Sequence, residues 1–494
     1  MTLSPNEVIQ ALAKVWPAGG LPTELPSLSD SINITSDSRQ IGPGDIFVAV
    51  PGGQLDGRDF IDSALEAGAG LVLAHASHGD ITLDGRILQL PYLTRRLGEL
   101  GRALFQLPEG PDVIGVTGTN GKSSVTHYIA ALSDALGTPA GVIGTLGVGR
   151  LGALSDTGLT TPGALAMHAA LGGLARQGVK RVALEVSSHA LDQSRLDGVD
   201  ITTGVFTNLS RDHLDYHGSM AAYAAAKAKL FRRTELALAV MNGDDPLVRL
   251  MLAGCDSHVR VLATGTEEAV TLRVVGWNPH SEGQQALIAT PDGEKTLSLS
   301  LMGRFNLDNV LLAMATLYGL GEPLESLFEA AESLNPVPGR MECYRQAGAP
   351  SVVIDYAHTP DALDNALRAL EGHAGKLWCV FGCGGERDTG KRAEMARIAE
   401  ARAQGVIVTD DNPRGESAES IRADILAGFS EKAQPLEIAE RREAIAYAVR
   451  HANPDDVILV AGKGHEPYQE IKGVRYPYHD GEAVQSALAA REGL

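Results

Sequence analysis

A glycine-rich segment at residues 115–124 has the residue types that bind the phosphates of a nucleotide. It reads Gly-Val-Thr-Gly-Thr-Asn-Gly-Lys-Ser-Ser and continues the apolar run DVIGVTG (112–118). Such a turn points backbone N–H groups at phosphate oxygens, and the helix that follows adds a positive field at its N-terminus. Lys122 is placed to reach the β and γ phosphates, and the Ser123 hydroxyl suits Mg²⁺. Because Val116 replaces the first glycine of the general pattern, a chance Gly-Lys-Ser turn is the competing interpretation.

Polar motifs also follow four apolar runs near the end of the chain. The runs are SVVIDY, LWCVFG, GVIVTD and DVILVAG, and the motifs are DYAHTPD (355–361), GCGGERDTGKR (382–392), TDDNPRGE (409–416) and AGKGHE (461–466). In open parallel sheets, ligands bind beyond the carboxyl ends of the strands. We therefore predict that these motifs border a ligand site.

Three regions of the chain differ in pattern, which predicts an α/β protein of three domains. Residues 1–91 hold short apolar runs, such as DIFVAV and AGLVLAH, between prolines and glycines. Residues 92–337 alternate apolar strands with helices, as in a parallel sheet around the phosphate loop. Their strand candidates are DVIGVTG, RVALEV, GVFTNL, LALAVMN and VRVLAT. Residues 338–494 restart the alternation after the linker NPVPGR, which predicts a doubly wound, Rossmann-like domain.

A β-hairpin is predicted as an appendage of the central domain. The segments VTLRVVGW and KTLSLSL alternate apolar with polar residues, and the Pro-Asp-Gly sequence at 291–293 lies between them. Alternation on both sides of a turn sequence is typical of a hairpin.

Composition narrows the class of partner. The 494 residues are 44% hydrophobic and 21% charged, with a formal charge of -19. This balance argues against a general nucleic-acid or anionic-membrane surface.

The spacing of Cys379 and Cys383 does not fit a zinc site, so we interpret them as buried thiols. The sequence lacks a secretory signal and an apolar stretch long enough to span a membrane, so we expect a cytoplasmic protein.

Several motifs together resemble the Mur ligases, cytoplasmic ATP-dependent enzymes that build the peptide of peptidoglycan precursors. The motifs are TSDSRQIGPGDIFVAV, TGTNGKSS, LEVSSHAL, TNLSRDHLDYHG, GRFNLDN, PGRMEC, DYAHTPD, DNPR and GKGHE, and they span essentially the whole chain. The resemblance implies domains that bind, in order, the UDP end of a nucleotide-sugar substrate, ATP and an amino acid. We also expect a monomer that acts on small molecules.

The resemblance implies a reaction in which ATP phosphorylates a carboxylate and an amine attacks the acyl phosphate. Lys122 and Mg²⁺ would disperse the charge. Glu185 and His213 resemble metal ligands of the family, although a surface acid or N-cap and a structural histidine are the alternatives. Lys227 matches a lysine that the family carbamylates, and the carbamate would join Mg²⁺. On its own Lys227 resembles an exposed helix lysine, and Lys229 is its competitor.

Three sets of binding residues follow from the same resemblance. The ATP set is Gly118, Thr119, Asn120, Gly121, Lys122, Ser123, Ser124, Asn306, Asn309, Arg340, Asp355 and His358. The UDP-substrate set is Ser38, Thr160, Thr161, Ser187, Gln193 and Arg195. The amino-acid set is Arg387, Asp411, Asn412, Arg414, Gly462 and Glu466. Helix capping by Asn306, and turn or cap roles for the small hydroxyl residues, are the competing interpretations.

Arg414 decides which amino acid we expect. The motif DNPR resembles family members that add meso-2,6-diaminopimelate to UDP-N-acetylmuramoyl-L-alanyl-D-glutamate, whereas lysine-adding members lack this arginine. Diaminopimelate has a second carboxylate that a guanidinium can hold through two hydrogen bonds. A lysine-adding ligase, a folylpolyglutamate synthase-like ligase and a non-catalytic nucleotide-binding regulator are the alternative functions.

Overall fold

The computed structural model describes residues 2–17, 19–22, 25–26, 28–52, 55–105, 107, 110–280, 282–371 and 375–491. The α-helices are α1 (Pro5–Val15), α2 (Ile61–Glu66), α3 (Leu93–Phe105), α4 (Lys122–Ala135), α5 (Ala164–Arg176), α6 (Ser188–Asp192), α7 (Leu214–His217), α8 (Met220–Ala228), α9 (Val248–Leu252), α10 (Arg304–Gly319), α11 (Leu324–Ala331), α12 (Pro360–Ala369), α13 (Gly390–Arg402), α14 (Ala418–Leu426), α15 (Arg441–His451) and α16 (Asp480–Arg491). Short 3₁₀ helices cover Ser38–Gln40, Gly57–Phe60 and Lys229–Arg232.

The strands up to the middle of the chain are β1 (Ile34–Thr35), β2 (Ile46–Ala49), β3 (Leu71–Ala76), β4 (Thr82–Asp84), β5 (Ile87–Pro91), β6 (Asp112–Thr117), β7 (Ala140–Gly144), β8 (Gly147–Arg150), β9 (Ala153–Ser155), β10 (Arg181–Glu185), β11 (Ile201–Phe206) and β12 (Leu238–Asn242). The remaining strands are β13 (Arg260–Gly265), β14 (Leu272–His280), β15 (Gly283–Thr290), β16 (Gly293–Leu299), β17 (Glu342–Tyr344), β18 (Ser351–Asp355), β19 (Leu377–Phe381), β20 (Gly405–Val408), β21 (Leu436–Glu437), β22 (Val457–Ala461), β23 (Tyr468–Ile471) and β24 (Val474–Pro477). The predicted mixed α/β class is confirmed, and each apolar run predicted as a strand coincides with one.

The chain divides into two compact units. The first contains residues 1–115, 138–203 and 233–236, and the second contains residues 116–137, 204–232 and 237–494. The phosphate loop and the four C-terminal motifs therefore belong to the second unit. The predicted domain boundaries at residues 91 and 337 stay a prediction.

The first unit contains a sheet in the order β1-β2-β3-β5-β4. Its strands are parallel except for β4, which pairs antiparallel with β5. The apolar faces of α1 and α3 pack on this sheet and complete a core that includes Val8, Leu12, Leu73 and Leu100. Elsewhere in this unit β10 pairs parallel with β7, and β7, β8 and β9 form an antiparallel meander.

In the second unit the parallel strands β12, β13 and β14 lead into an antiparallel meander. Strand β14 pairs antiparallel with β15, and β15 pairs with β16 across the turn that precedes Gly293. A β-hairpin is therefore present at the predicted turn, but its partners are β15 and β16. The predicted pairing of VTLRVVGW, in β14, with KTLSLSL, in β16, is wrong, because β15 lies between them.

The C-terminal sheet of the second unit has the order β17-β18-β22-β19-β20-β21. In this order, each neighbouring pair from β18 through β22, β19 and β20 to β21 is parallel, whereas β17 pairs antiparallel with β18. One face packs against α12, α13 and α14, and the other packs against α15 and α16. This arrangement is doubly wound, as predicted, and it places the four polar motifs at the carboxyl ends of β18, β19, β20 and β22. No helix within the described ranges is long and apolar enough to cross a membrane.

Candidate active site

The phosphate loop requires glycine at two positions, because of both the backbone conformation and the space available there. Gly118 and Gly121 have φ angles of 153° and 85°, which side-chain-bearing residues rarely adopt. A Cβ on Gly118 would lie 1.9 Å from Thr207 Oγ1, and one on Gly121 would lie 2.6 Å from Asn309 Oδ1. The loop is therefore packed closely against the end of β11 and against α10. This packing places Asn309, predicted to bind the nucleotide, beside the loop.

The residues after Gly121 begin α4 directly. Lys122 is half-buried, and its Nζ donates to the carbonyls of Gly118 at 3.0 Å and Thr119 at 2.8 Å. Ser123 and Ser124 are both 4% exposed in the first turn of the helix. The lysine thus lies over the loop whose amides begin the helix, as the nucleotide-binding prediction requires.

The remaining loop residues are held by the segment after β11. Asn120 N–H donates to Asn208 Oδ1 at 2.9 Å, and Thr207 Oγ1 donates to the Asn120 carbonyl at 2.5 Å. Thr119 Oγ1 bonds to the Ser210 carbonyl at 3.2 Å. These bonds fix the loop's shape and leave its glycine amides to set the binding surface.

Lys227 is buried, so its interpretation as an exposed helix lysine is wrong. Its side chain is 1% exposed, and Nζ donates to the Gly118 carbonyl at 2.7 Å. Burial and, next, the charge of Lys122 hold the pKa of Lys227 well below its usual value, whereas Asp212 opposes them. A lowered pKa increases the fraction of neutral amine, whose lone pair can attack CO₂. The competitor Lys229 is exposed.

His213 precedes α7 in a left-handed backbone conformation, with φ of 53°. Its Nε2 lies 3.4 Å from Asp212 Oδ2, and its ring meets the Tyr223 ring edge-on at 6.1 Å. The same Tyr223 ring lies 4.7 Å from Lys227 Nζ. One aromatic side chain therefore separates two of the predicted metal ligands, His213 and Lys227.

The motif after β18 contacts the phosphate loop through Arg340. Arg340 Nη2 donates to Ser123 Oγ at 3.2 Å, and the guanidinium lies 4.4 Å from the centre of the Tyr356 ring. Burial raises the pKa of Asp355 to about 6, although Arg340 opposes the shift. Asp355 Oδ2 also accepts the Met341 N–H at 2.9 Å. The bond to Met341 fixes the backbone next to the arginine.

Both the ring and the backbone carbonyl of His358 make hydrogen bonds. Its Nδ1 lies 2.8 Å from the Tyr356 carbonyl, and Lys391 Nζ donates to the His358 carbonyl at 2.9 Å. Burial and, next, Lys391 lower the pKa of His358. Because a carbonyl only accepts, Nδ1 donates to Tyr356, and in the neutral ring Nε2 is left as an acceptor. Helix α12 begins directly after it, with Thr359 as the N-cap and Pro360 in the first turn.

Asn306 is not the cap of α10, so the capping interpretation is wrong. The N-cap residue is Gly303, and Asn306 Nδ2 donates to the Met302 carbonyl at 2.8 Å. Asn306 Oδ1 accepts the Tyr128 hydroxyl at 3.3 Å. Asn306 therefore joins α10 to α4, the helix that follows the phosphate loop.

At the amino-acid end, the structure brings four predicted residues together. Asn412 Nδ2 donates to Glu466 Oε2 at 2.7 Å, and Asp411 and Asn412 are 6% and 3% exposed. A Cβ on Gly462 would lie 2.6 Å from Asp411 Oδ2. The ends of β20 and β22 thus form one acidic pocket wall. Lys463, which sequence reasoning missed, is fully buried among these groups.

The position of the Arg414 side chain is set by an unusual backbone conformation and by hydrogen bonds. Its φ is 53°, its N–H donates to the Glu470 carbonyl at 2.9 Å, and its Nη1 donates to the Gly385 carbonyl at 2.8 Å. The guanidinium therefore lies on the loop that carries Arg387, an exposed residue after β19. A planar guanidinium with further N–H groups beyond this bond suits a carboxylate.

Glu185 in the first unit is buried, so the surface-acid interpretation is wrong. It is 1% exposed, and its oxygens accept the Thr145 N–H at 2.9 Å and hydroxyl at 3.1 Å. It is not an N-cap, because Ser187 caps α6 by accepting the Ala190 N–H. The close approach of Gly144 confirms how tightly the carboxylate is packed, since a Cβ there would lie 2.2 Å from Glu185 Oε1.

Five of the six predicted UDP-substrate residues form one network in the first unit. Thr161 Oγ1 donates to the Glu185 carbonyl at 2.8 Å and lies 3.1 Å from Ser187 Oγ, and the Thr160 hydroxyl lies 3.0 Å from that of Thr145. Arg195 Nη1 donates to the Thr161 carbonyl at 2.9 Å, and Arg195 Nη2 donates to Gln193 Oε1 at 2.6 Å.

The sixth residue, Ser38, begins the 3₁₀ helix Ser38–Gln40 after the cap Asp37. Within the described ranges it makes no hydrogen bond to the other five. Its predicted role therefore depends on the substrate reaching both places.

Tyr356 and Asp212, like Lys463, were missed by sequence reasoning. Tyr356 contacts Arg340 on one side, and its hydroxyl lies 3.5 Å from Glu466 Oε1 on the other. Both missed residues adjoin predicted site residues in the sequence, which is the one signal that was available. The site as described offers a cationic phosphate end and an acidic amino-acid end, joined by Tyr356.

Three family models match the chain. They are described as "Mur ligase family, catalytic domain" over residues 32–100, "Mur ligase middle domain" over residues 116–317 and "Mur ligase, glutamate ligase domain" over residues 339–464.

Curated relatives from several bacteria are similar over nearly the whole chain. A protein of Pseudomonas aeruginosa is 47% identical over 93% of this chain and 95% of its own length. A protein of Xanthomonas campestris is 46% identical over 93% of this chain and 94% of its own length. Both are named UDP-N-acetylmuramoyl-L-alanyl-D-glutamate--2,6-diaminopimelate ligase.

Solved structures give the same fold. A structure of a protein with that same name is 36% identical, covers 100% of both chains and has a TM-score of 0.67. MurF from Acinetobacter baumannii has a TM-score of 0.69 over 99% of both chains at 18% identity, and this likeness concerns the fold alone.

Proposed function

The chain belongs to the Mur ligase family, and we propose that it is the ATP-dependent ligase that joins meso-2,6-diaminopimelate to the D-glutamyl γ-carboxylate of UDP-N-acetylmuramoyl-L-alanyl-D-glutamate. The observation that carries this function is the 47% identity to a relative of that name over 93% of the chain. The DNPR sequence and the placement of Arg414 on the Gly385 loop support the choice of diaminopimelate.

The reaction begins with transfer of the γ-phosphoryl group of ATP to the γ-carboxylate, which produces an acyl phosphate and ADP. The amine of the amino acid then attacks the acyl carbon, the amide bond forms, and phosphate leaves as the amine loses its proton. Phosphoryl transfer depends mainly on positioning and on neutralising charge. Lys122, the first amides of α4 and Arg340 would do this, because Lys122 Nζ lies on the phosphate loop and Arg340 contacts Ser123 in the first turn of α4.

Mg²⁺ would be held by the Ser123 hydroxyl, the His213 imidazole and a carbamate on Lys227, the ligands that the family resemblance implies. Glu185, in the first unit, stays a predicted ligand. The hydroxyl and the carbamate would supply oxygen ligands, which Mg²⁺ prefers. Bound there, Mg²⁺ would neutralise negative charge on the phosphoryl oxygens. The burial of Lys227 and the lowered pKa of its amine support carbamylation, which would replace a positive charge by a negative one.

At the amino-acid end, Arg414 and Arg387 would hold the distant carboxylate, and Glu466 would receive an ammonium. In the first unit, the network of Thr161, Ser187 and Arg195 would hold the nucleotide-sugar substrate. We propose that the protein acts as a monomer in the cytoplasm.

A coupled assay of ADP release tests this function. ADP should be released only when ATP, the UDP-sugar dipeptide and diaminopimelate are all present, and the product should be the UDP-sugar tripeptide by mass. The Lys122→Ala variant should lose this activity, whereas Lys229→Ala, a change at an exposed position, should keep it. ADP release that needs neither the UDP-sugar dipeptide nor an amino acid would overturn the proposal.

A lysine-adding ligase is the second candidate function. Lysine lacks the distant carboxylate, so Arg414 would be left without its partner, and a site built to pair a charge rejects such an analogue. The presence of Arg414 therefore favours diaminopimelate.

A further inference from the structure

Lys463 is a fully buried lysine at the end of β22. Its side chain is 0% exposed, and its Nζ donates to Asn412 Oδ1 at 2.9 Å and to Glu466 Oε2 at 3.1 Å. Asp411 Oδ1 lies 3.6 Å from the same Nζ. Burial of a charge is unfavourable unless the charge is paired and hydrogen-bonded. These three acceptors therefore account for the position of Lys463.

The contact with Lys463 divides the two oxygens of Glu466 into different roles. Oε2 accepts from Lys463 Nζ and also from Asn412 Nδ2 at 2.7 Å. In the part of the chain that the structure describes, Oε1 has one long hydrogen bond, from the Tyr356 hydroxyl at 3.5 Å. A carboxylate held at one oxygen by two donors keeps its orientation. Oε1 is then the oxygen left to accept from an ammonium.

Lys463 also sets the orientation of the Asn412 amide. Asn412 Oδ1 accepts from Lys463 Nζ and from the Glu470 N–H at 3.0 Å. With two donors at its oxygen, the amide must turn Nδ2 toward Glu466. Without Lys463 the amide could rotate, and Glu466 would lose both of its short hydrogen bonds.

Lys463 offsets one of the two negative charges that Asp411 and Glu466 contribute to the pocket. Asp411 and Glu466 contribute two negative charges and Lys463 contributes one positive charge, so the cluster has a net charge of about one negative unit when all three groups are ionised. One ammonium of an amino acid would neutralise it. If Lys463 is removed, both carboxylates lose the positive charge that lies between them.

We propose that Lys463 is the positioning residue of the amino-acid pocket, which keeps Glu466 turned to receive an ammonium of the substrate. The inference rests on the proposed function, because that function makes this pocket the amino-acid site. Lys463 does not itself contact the substrate, and it acts through Glu466 and Asn412.

The Lys463→Met variant tests the inference through separate KM values. We expect the KM for the amino acid to rise at least tenfold, while the KM for ATP and the kcat at saturating amino acid stay within about threefold of wild type. The control is Lys432→Met, a change at an exposed lysine that should leave every constant unchanged. Lys463→Gln, which keeps one N–H donor and a similar volume, is the second variant if the methionine variant does not fold.

A double-mutant cycle separates this role from simple loss of structure. Glu466→Gln removes the carboxylate through which Lys463 is proposed to act, so Lys463→Met should raise the amino-acid KM little further when it is added to Glu466→Gln. An independent structural defect would instead add its full effect to that of Glu466→Gln.

These measurements distinguish failure of the proposed function from failure of the role of Lys463. If wild-type protein uses no amino acid, the proposed function fails. If wild type uses an amino acid but the Lys463 variants raise the KM for ATP equally, leave the amino-acid KM unchanged or add their full effect to that of Glu466→Gln, then only the role of Lys463 is overturned. A selective rise in the amino-acid KM that depends on Glu466 supports it.

Discussion

Arg340 donates a hydrogen bond from its guanidinium Nη2 to the Ser123 hydroxyl across 3.2 Å, although 217 positions of sequence separate the two residues. The guanidinium also lies 4.4 Å from the centre of the Tyr356 ring, which contacts the amino-acid pocket. One cation therefore lies between the first turn after the phosphate loop and the acceptor pocket. This position is suited to charge that develops during phosphoryl transfer.

Replacing Arg340 should slow the chemical step. We expect Arg340→Met to lower kcat by about 10²–10³, because loss of one well-placed donor to developing charge has this effect in other enzymes. Steady-state kinetics with all substrates saturating measures the change. Arg345→Met alters an exposed arginine close by in the sequence and is the control. An unchanged kcat in Arg340→Met would show that the contact with Ser123 has no part in catalysis.

Lys227 should react with CO₂. Protein equilibrated with ¹³C-bicarbonate should show a carbamate carbon signal by NMR, because burial lowers the pKa of the amine and so favours its reactive neutral form. Lys227→Met should abolish both the signal and the activity, whereas Lys229→Met, a change at an exposed neighbour, should keep both. An active wild-type protein with no carbamate signal would contradict this role.

Asp355 should make stability depend on pH. Its pKa of about 6 in the folded state lies above the usual value of 3.8, so its favourable contribution is present below about pH 4 and is lost as pH rises through 6. Charging it costs on the order of 3 kcal/mol. The free energy of unfolding of Asp355→Asn, minus that of wild type, should therefore be more positive at pH 8 than at pH 4.5. A difference that is constant or reversed would refute the shift.

The pair Arg441–Asp480 should be critical for the stability of the C-terminal sheet. Both side chains are fully buried, with an N–O distance of 2.8 Å, and Arg441 also donates to the Ala461 carbonyl. Arg441→Met leaves a buried carboxylate without its partner and should cost about 3–5 kcal/mol in chemical denaturation. Arg441→Met combined with Asp480→Leu should recover part of this loss.

The exposed pair Arg102–Asp200 is the control for this measurement, with side chains 43% and 47% exposed. Breaking it should change the free energy of unfolding by about 1 kcal/mol or less. Equal losses from the two pairs would contradict the argument from burial.

The sequence predicted the strands and the phosphate loop because apolar runs and glycine turns are local signals. It did not predict the burial of Lys227, since the Gly118 carbonyl that accepts from it is 109 positions away. Nor did it show Lys463, whose partners Asn412 and Asp411 follow a different strand. The left-handed backbone of Arg414 is likewise set by its pairing with β23, through Glu470. Such features depend on tertiary packing.

The most direct test is competition between diaminopimelate and lysine for the wild-type protein, with products identified by mass. We expect the diaminopimelate product to exceed the lysine product at least a hundredfold at equal concentrations. Arg414→Ala should lose about 2–5 kcal/mol of diaminopimelate binding and leave the use of lysine little changed, while the exposed-site control Arg475→Ala should match wild type. Equal use of the two amino acids by wild-type protein would contradict the assignment of diaminopimelate and the role of Arg414.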